Sequence, residues 1–322
     1  MSRLSRLWER WVAVWGRQEI PDTLALLRIL MCFVLLTDQF TVLQLGLVEA
    51  LWSPAEVGGI GDPLGAAPPP LLYRLFPLTS ATAWGAFGVW VGATILFGVG
   101  LLSRFSGIVL VLVYAQLALV LPGSDRGIDM LIRNVLLVLA FSPAGEAWSL
   151  DARIRTGRWS GARVGRPAWA RQLLILQLAV MYFTAGVQKV SLAWLPMGDF
   201  SALYIVLHDP AVARTAAIDL RSWYPLTQVA TATTLLWEWS APLFLLAFWY
   251  RETRTRAGSL RAWMNRVDFR TLYLLVGVAF HLGIHVTLHI GIFPWAMMAL
   301  YVCAWHPDEL AALTRRWSRS KA

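Results

Sequence analysis

Long apolar runs alternate with polar connections over most of the chain. A membrane-spanning helix needs about 20 mostly apolar residues. Runs that approach this length cover residues 24–46, 81–102, 106–121, 128–143, 173–189, 227–250, 272–290 and, more briefly, 293–305. Pro294 should break or kink the last of these, so we interpret it as either a tilted span or a re-entrant segment. The pattern therefore predicts an all-α, polytopic membrane helix bundle of about eight spans.

Arginine is concentrated in alternate connections. The N-terminal arm, the connections around residues 145–171 and 251–270, and the C-terminal tail are basic, whereas the connections between them are richer in acidic residues. Lysine and arginine favour the cytoplasmic side of a membrane. The alternation predicts that both termini are cytoplasmic. The apolar runs are spread along the chain and no soluble domain is evident, so residues 1–322 are predicted to form one membrane domain. Within it, residues 1–23 are predicted to be a basic interfacial lead-in and residues 306–322 a cytoplasmic tail.

The composition is typical of a multi-pass membrane protein. Hydrophobic residues make up 57% of the chain and charged residues 15%, against about 45–50% and 25% in soluble domains. The net charge of +9 lies mainly in the connections, so we expect the lipid bilayer, and no nucleic acid, as the partner of the basic residues. Cys32 and Cys303 both lie in apolar runs, where small buried side chains are expected instead of a metal cluster or a disulfide framework.

Ionisable side chains interrupt the apolar runs, and hydrocarbon penalises each of them. They are Asp38, Asp129, Arg133, Lys189, Glu238, His281, His285 and His289. With the predicted topology and about 1.5 Å of rise per residue, they fall mainly in the outer half of the bilayer, whereas Arg28 lies in the inner half and can extend to the cytoplasmic headgroups. One interpretation is a shared cavity, water-accessible or of quinone size, that opens to the outside. The other is a set of separate pairs between helices or along them, such as Asp129 with Arg133, whose spacing places them on one helix face.

Three histidines follow one another at four-residue intervals. Residues at i, i+4 and i+8 lie along one stripe of a helix, which predicts a row of imidazoles at His281, His285 and His289. The ends of that row are about 12 Å apart, so the three cannot bind one ion, and we predict no metal site. A row that carries protons or hydrogen bonds along the cavity competes with neutral packed histidine, and Tyr182 and Thr287 are the candidate partners.

Lys189 stands at the outer end of its apolar run. In a poorly solvated pocket the neutral amine is favoured, which makes lysine a usable base. An interfacial lysine that extends to the outer headgroups fits the same position. The residues alone leave both interpretations open.

The sequence that ends at Lys189 resembles a family motif. It reads Tyr182-Phe-Thr-Ala-Gly186-Val-Gln-Lys189, followed by Trp194 and Gly198. It is similar to the membrane domain of vitamin K-dependent gamma-carboxylases and to bacterial proteins with the related horizontally transferred transmembrane (HTTM) domain. Other segments that resemble the bacterial pattern are Gly127-Ile-Asp129 with Arg133, Pro143 with Trp148-Ser-Leu-Asp151, and the run from His281 to Pro294. The resemblance covers most of the chain and implies a multi-pass protein of the bacterial cytoplasmic membrane.

The resemblance implies chemistry on a reduced quinone. The carboxylases use a hydroquinone, oxygen and carbon dioxide, and a lysine of the shared motif removes the hydroquinone proton; by position, Lys189 is similar to that lysine. Lys189, Glu238 and His285 are therefore candidate catalytic residues. The candidate contacts to a reduced quinone, of menaquinone or vitamin K type, are Asp38, Asp129, Arg133, Tyr182, His281 and His289. The implied function is a quinol-dependent lyase or oxidoreductase.

The chain departs from the carboxylases at two places and in its extent. Gln188 stands where the eukaryotic enzymes carry a second lysine, and Asp129 and Met130 stand where they carry a functional histidine. The sequence also ends soon after its apolar region, without the large extracytoplasmic part that binds a peptide, so a reduced quinone is a firmer expectation than carboxylation of protein glutamate. The alternative is a non-catalytic role in the maturation or export of a secreted peptide or protein, of the kind known for the sporulation-delaying toxin. A proton-coupled carrier is less favoured, because repeated halves are not evident.

Overall fold

The computed structural model describes residues 3–60, 70–77 and 79–312 of the chain. Within them the regular secondary structure is helical, apart from one antiparallel pair of short strands, β1 (Gln18–Glu19) with β2 (Arg166–Pro167), and an isolated bridge between Ala213 and Leu288. The predicted all-α architecture is therefore confirmed for this part of the chain.

The chain forms two compact units, Met1–Arg171 with Pro307–Ala322, and Gln172–His306. The helices described in the first unit are α1 (Arg3–Trp15), α2 (Asp22–Gln44), α3 (Leu47–Trp52), α4 (Leu71–Leu75), α5 (Ser80–Val99), α6 (Ser103–Val120), α7 (Gly127–Phe141) and α8 (Leu150–Thr156). After them, α9 (Trp169–Val187) begins at the end of the first unit and lies mostly in the second. The second unit continues with α10 (Ala202–Val206), α11 (Tyr224–Trp239), α12 (Ala241–Glu252), α13 (Ser259–Val267), α14 (Phe269–Thr287) and α15 (Phe293–Leu300). Most of the predicted tail at residues 306–322 lies outside the described residues.

Several helices are long and apolar enough to cross a membrane. In the part of the chain that the structure describes, five meet that condition, namely α2, α5, α6, α9 and α14, and α11 with α12 forms a sixth if the bent pair counts as one span. With 15 residues, α7 is shorter, and so is the apolar segment Phe293–Ala304. The number of crossings and the side of the membrane on which the termini lie stay predictions.

The predicted span at residues 227–250 is not one continuous helix. It is broken after Trp239, and its two parts are bent by 51°. Pro242 lies in the first turn of α12, where proline has no N–H with which to continue the hydrogen bonding of the preceding helix. The break places Glu238 at the end of a helix instead of in the middle of a straight span.

The core of the first unit lies where α2, α5, α6 and α7 pack together. Its fully buried side chains include Leu27, Met31, Phe97, Leu110 and Ile132. Arg28 is also fully buried, and its guanidinium donates to the carbonyls of Ala144 and Trp148 at 3.0 and 2.6 Å. The predicted extension of Arg28 to the headgroups is therefore wrong. The carbonyls of Ala144 and Trp148, which follow the end of α7, accept the hydrogen bonds of the Arg28 guanidinium instead.

Asp151 of α8 holds the start of α6. Its carboxylate accepts hydrogen bonds from the backbone N–H groups of Leu102 and Ser103 at 2.9 and 2.8 Å, and from the Ser103 hydroxyl at 2.7 Å. Burial by itself raises the pKa of Asp151, but the hydrogen bonds from Ser103 and Leu102 outweigh burial, and the pKa lies below its ordinary value. The carboxylate thus satisfies N–H groups that α6 leaves without partners at its first turn.

Aromatic rings fill the core of the second unit. The Tyr273 ring of α14 stacks on Phe244 and Trp237, with centroids 4.6 and 5.2 Å apart. Gly277, one helix turn further along α14, has no side chain, and a Cβ there would overlap the Tyr301 hydroxyl. This close approach brings α15 and α11 against α14 and fixes Trp237, the neighbour of Glu238 in the sequence.

Candidate functional site

An ion pair in the second unit joins two of the predicted residues. The Nζ of Lys189 lies 2.7 and 2.6 Å from the two carboxylate oxygens of Glu238. It also donates to the Ala185 carbonyl at 3.4 Å and lies 4.9 Å from the centroid of the Trp194 ring. The Lys189 side chain is 18% exposed and the Glu238 side chain 4%. The lysine is therefore the accessible end of the pair, and the carboxylate is its buried end.

The ends of two helices position this pair. α9 ends at Val187, two residues before Lys189, and Glu238 is the next-to-last residue of α11. A Cβ at Gly186 would lie 2.7 Å from the Cδ1 atom of Trp239 and 2.9 Å from the Cβ atom of Glu238. The glycine therefore lets α9 approach the end of α11 closely. As a result Lys189 is paired inside the protein. It does not extend alone to the outer headgroups, as the interpretation of an interfacial lysine had predicted.

A buried hydrogen-bond network lies in the same unit. The Tyr182 hydroxyl is 2.7 Å from the Nε2 atom of His281 and 2.7 Å from the Tyr301 hydroxyl, and all three side chains are buried. The ring of Trp237 lies 4.4 Å from that of Tyr182. Because Trp237 precedes Glu238 in α11, the network supports the helix end that carries the buried carboxylate. The predicted partnership between Tyr182 and the histidines is confirmed for His281.

The predicted row of three histidines is not formed. α14 ends at Thr287, so His289 lies beyond the helix, where its backbone N–H donates to the Val212 carbonyl at 2.7 Å. A stripe requires all three residues in one helix, and only His281 and His285 meet that condition. The hydroxyl of Thr287 donates to the carbonyl four residues earlier at 2.8 Å, so this bond lies within the helix and not with the histidines.

Charged side chains of the first unit form a second cluster, centred on Arg126. Its guanidinium donates to the two carboxylate oxygens of Asp38 at 3.2 and 2.8 Å, and to the two oxygens of Asp129 at 2.8 Å each. The Tyr114 hydroxyl donates to Asp129 at 2.6 Å. Burial by itself lowers the pKa of Arg126, but its hydrogen bonds to Asp129 and Asp38 outweigh burial and raise the pKa above its ordinary value. Arg126 thus joins α2 to the start of α7.

The predicted pair of Asp129 with Arg133 is wrong. Asp129 occupies the third position of α7, and its carboxylate accepts the backbone N–H of Arg126 at 2.9 Å. A carboxylate at this position reaches back to the N–H group before the helix, as in a capping box. Arg133 pairs with Asp125 instead, at 2.7 and 2.6 Å.

The predicted residues therefore fall into two groups. Lys189, Glu238, Tyr182, His281, His285 and His289 belong to the second unit, and Asp38, Asp129 and Arg133 to the first. Sequence reasoning missed Arg126, Asp125, Tyr114 and Tyr301. Arg126 and Asp125 precede an apolar run that begins with a capping aspartate, and this pattern could have pointed to them. Tyr114 and Tyr301 each lie singly in an apolar run, and no sequence pattern marks them. Among the residues described, no group of three His, Cys, Asp or Glu side chains is placed to hold a metal ion.

Comparison with known protein families gives a match over most of the chain. The model of the HTTM domain family matches residues 17–269. This range includes the Lys189–Glu238 pair and the Arg126 cluster, and it ends before His281 and Tyr301. No solved structure matches the chain.

Proposed function

The chain belongs to the HTTM family, which is related to the membrane domain of gamma-carboxylases, and from this membership we propose a membrane enzyme that acts on a reduced quinone. In this proposal the Lys189–Glu238 pair accepts a proton, and the protein is a lyase or oxidoreductase of the bacterial cytoplasmic membrane. The observation that carries the proposal is the ion pair itself, in which the accessible end is a lysine and the buried end is a carboxylate.

The residue type at position 189 supports a role as base. Of the 28 lysine and arginine residues, only Lys189 and Lys321 are lysine, and the other 26 are arginine. Arginine forms bidentate pairs with carboxylates and cannot be deprotonated in a protein. At the ion pair between α9 and α11, a chain that otherwise uses arginine therefore carries the cation that can lose its proton.

Proton transfer within the pair makes Lys189 a base. When a proton moves from Nζ to a carboxylate oxygen of Glu238, an N–H bond breaks, an O–H bond forms, and a neutral amine faces a neutral acid. Burial of Glu238 lowers the free-energy cost of this transfer from the resting ion pair, because burial disfavours charge. The amine then accepts one proton at Nζ from a ligand hydroxyl on its accessible side, so the pair as a whole gains one proton.

The ligand that we propose for Nζ is a flat ring that carries an ionisable hydroxyl. The Trp194 ring beside Nζ offers an aromatic face, and the amine offers the acceptor. A reduced quinone supplies an acidic hydroxyl and reducing equivalents when bound. We propose that Lys189 and Trp194 contact it and that Glu238 takes up the lysine proton.

The other candidate residues have different places in this proposal. Tyr182 and His281 support the end of α11, and His285 lies on the same helix as His281, one turn further on. A role in binding the quinone ring stays a prediction for the remaining candidates, Asp38, Asp129, Arg133 and His289.

Mass spectrometry of quinones that co-purify with the protein tests the proposal. Wild type isolated from a quinone-containing membrane should carry an isoprenoid quinone, and Lys189→Ala should lose it while remaining folded. Arg221→Ala is a matched control, because Arg221 pairs with Asp219 in the same unit but 87% of its side chain is exposed. Equal amounts of quinone in wild type and in Lys189→Ala would reject the proposal.

An accessory role in the maturation or export of a secreted peptide makes a different prediction. It requires no proton transfer, so Lys189→Arg, which keeps a cation beside Glu238, should retain that function. The enzyme proposal predicts that the same variant is inactive, because arginine does not release its proton.

A further inference from the structure

A groove in the first unit, the α6–α8 groove, opens between the start of α6, the end of α7 and the helix α8. Its volume is about 630 Å³, within the range of about 300–1,000 Å³ that ligand sites occupy. Its walls include Leu102, Phe105 and Ile154, which are 62, 67 and 72% exposed. Because α6 is long and apolar enough to cross a membrane, the groove lies where a span ends. Its apolar walls therefore suit a hydrocarbon chain.

Two arginines line the same groove. Arg104, the second residue of α6, is exposed and forms no hydrogen bond or ion pair with any residue that the structure describes. Arg155 of α8 donates through Nε to the Asp151 carbonyl at 3.1 Å and through Nη2 to the Gly145 carbonyl at 3.2 Å. Its Nη1 group has no hydrogen-bond partner in the described part of the chain. The planar N–H groups of arginine match the oxygen atoms of a phosphate, so both guanidiniums can bind one.

The carboxylates of the groove already have partners. Asp151 accepts three hydrogen bonds at the start of α6, where the helix dipole places positive charge, and it also interacts with the charge of Arg155. Glu146 accepts a hydrogen bond from the Nε of Arg166 at 2.6 Å. With Arg155 counted against Asp151 and Arg166 against Glu146, the groove has one positive charge in excess, on Arg104.

The predicted topology places the groove at the cytoplasmic surface of the membrane. The connection that follows α7, around residues 145–171, is one of the basic connections, and these favour the cytoplasmic side. Anionic phospholipids give the cytoplasmic leaflet a negative surface potential, and basic pockets between spans on this side bind anionic headgroups. The excess charge of the groove therefore faces the leaflet that offers its counter-charge.

We propose that the α6–α8 groove binds one anionic glycerophospholipid, such as phosphatidylglycerol. Its phosphate lies at the guanidiniums of Arg104 and Arg155, and one of its acyl chains lies along Phe105 and Ile154. A zwitterionic phospholipid has an ammonium group that compensates its own phosphate, so it leaves the charge of Arg104 in excess. The groove therefore selects a headgroup with net negative charge. The site requires neither Lys189 nor a quinone.

Native mass spectrometry of the purified full-length protein, released from detergent micelles, measures the affinity for single lipids. Wild type should bind phosphatidylglycerol about tenfold more tightly than phosphatidylcholine with the same acyl chains, which is the value of one hydrogen bond to a charged group. Glycerol phosphate carries the anion without the acyl chains. It should bind at least about a hundredfold more weakly than phosphatidylglycerol, because each buried CH₂ group contributes about fourfold in affinity.

Variants assign this preference to the two arginines. Arg104→Gln and Arg155→Gln each remove an exposed charge of the groove, so each should lose most of the preference for phosphatidylglycerol at an unchanged Tm. Arg153→Gln is the matched control and should keep the preference, because Arg153 is exposed on the same helix, α8, but does not line the groove. The proposal is overturned if wild type binds both lipids equally, or if Arg104→Gln or Arg155→Gln keeps the wild-type preference. It is also overturned if Arg153→Gln loses as much of the preference, or if glycerol phosphate binds as tightly as the lipid.

Discussion

The Lys189–Glu238 pair predicts unequal costs for removing its two members. Removal of one partner of a buried ion pair costs about 3–5 kcal/mol, because an uncompensated charge remains. Lys189→Met leaves the Glu238 carboxylate, whose side chain is only 4% exposed, and we expect the full cost of about 3–5 kcal/mol. Glu238→Gln leaves the more exposed lysine with an amide acceptor and access to water, so we expect a smaller cost of about 1–2 kcal/mol.

Equilibrium unfolding in mixed detergent micelles measures this asymmetry. The double variant Lys189→Met/Glu238→Gln has no unpaired charge, so it should be more stable than Lys189→Met alone, with a coupling energy of about 2 kcal/mol. The reasoning is refuted if the two single losses add without coupling, or if Glu238→Gln is the more destabilising substitution.

Three further substitutions test the packing, the buried network and the cap of α6. Gly186→Ala should lower the Tm by several degrees, because overpacking against Trp239 costs about 1–3 kcal/mol. Gly85→Ala is the control: its Cβ would have no neighbour within 4 Å, so the Tm should stay unchanged or rise. Equal effects of the two substitutions would contradict the close approach of α9 to α11. Tyr182→Phe should cost about 1–3 kcal/mol in the same unfolding assay, since two buried groups lose a partner, and wild-type stability would contradict the network. The folded pKa of Asp151 is lowered, so its contribution to stability is present above the unfolded value of about 3.9 and is lost as the pH falls through the folded value. Asp151→Asn should therefore flatten the fall in Tm below about pH 4, and an unchanged pH dependence would exclude this contribution.

Apolar length is a sufficient basis for predicting the helices but not their bends. Within hydrocarbon, backbone N–H and C=O groups must be paired inside the segment, so a long apolar run forms a helix. One such run contains both α11 and α12, and Pro242 separates them. The proline is visible in the sequence, but its consequence, which is that Glu238 stands at a helix end facing α9, depends on the packing of the second unit.

Partner choice is the part of the site that the sequence did not reveal. Lys189 and Glu238 are each recognisable as a costly charge in an apolar run, yet their pairing requires the close approach of two helices at Gly186. Asp129 shows a different limit. Its position at the start of α7 allows a capping bond to the backbone, and this local geometry replaces the side-chain pair with Arg133 that the spacing alone predicts.

The turnover of a reduced quinone by Lys189→Arg tests the central claim most directly. Arginine keeps a positive charge beside Glu238 but cannot be deprotonated, so this variant separates the ion pair from the base. Oxygen consumption that depends on added reduced menaquinone is measured for wild type and variant, with the Tm of each as the check on folding. The account predicts a loss of about 10²–10⁴-fold in turnover at a similar Tm. Turnover within about threefold of wild type, far less than the loss of a general base costs, would contradict it.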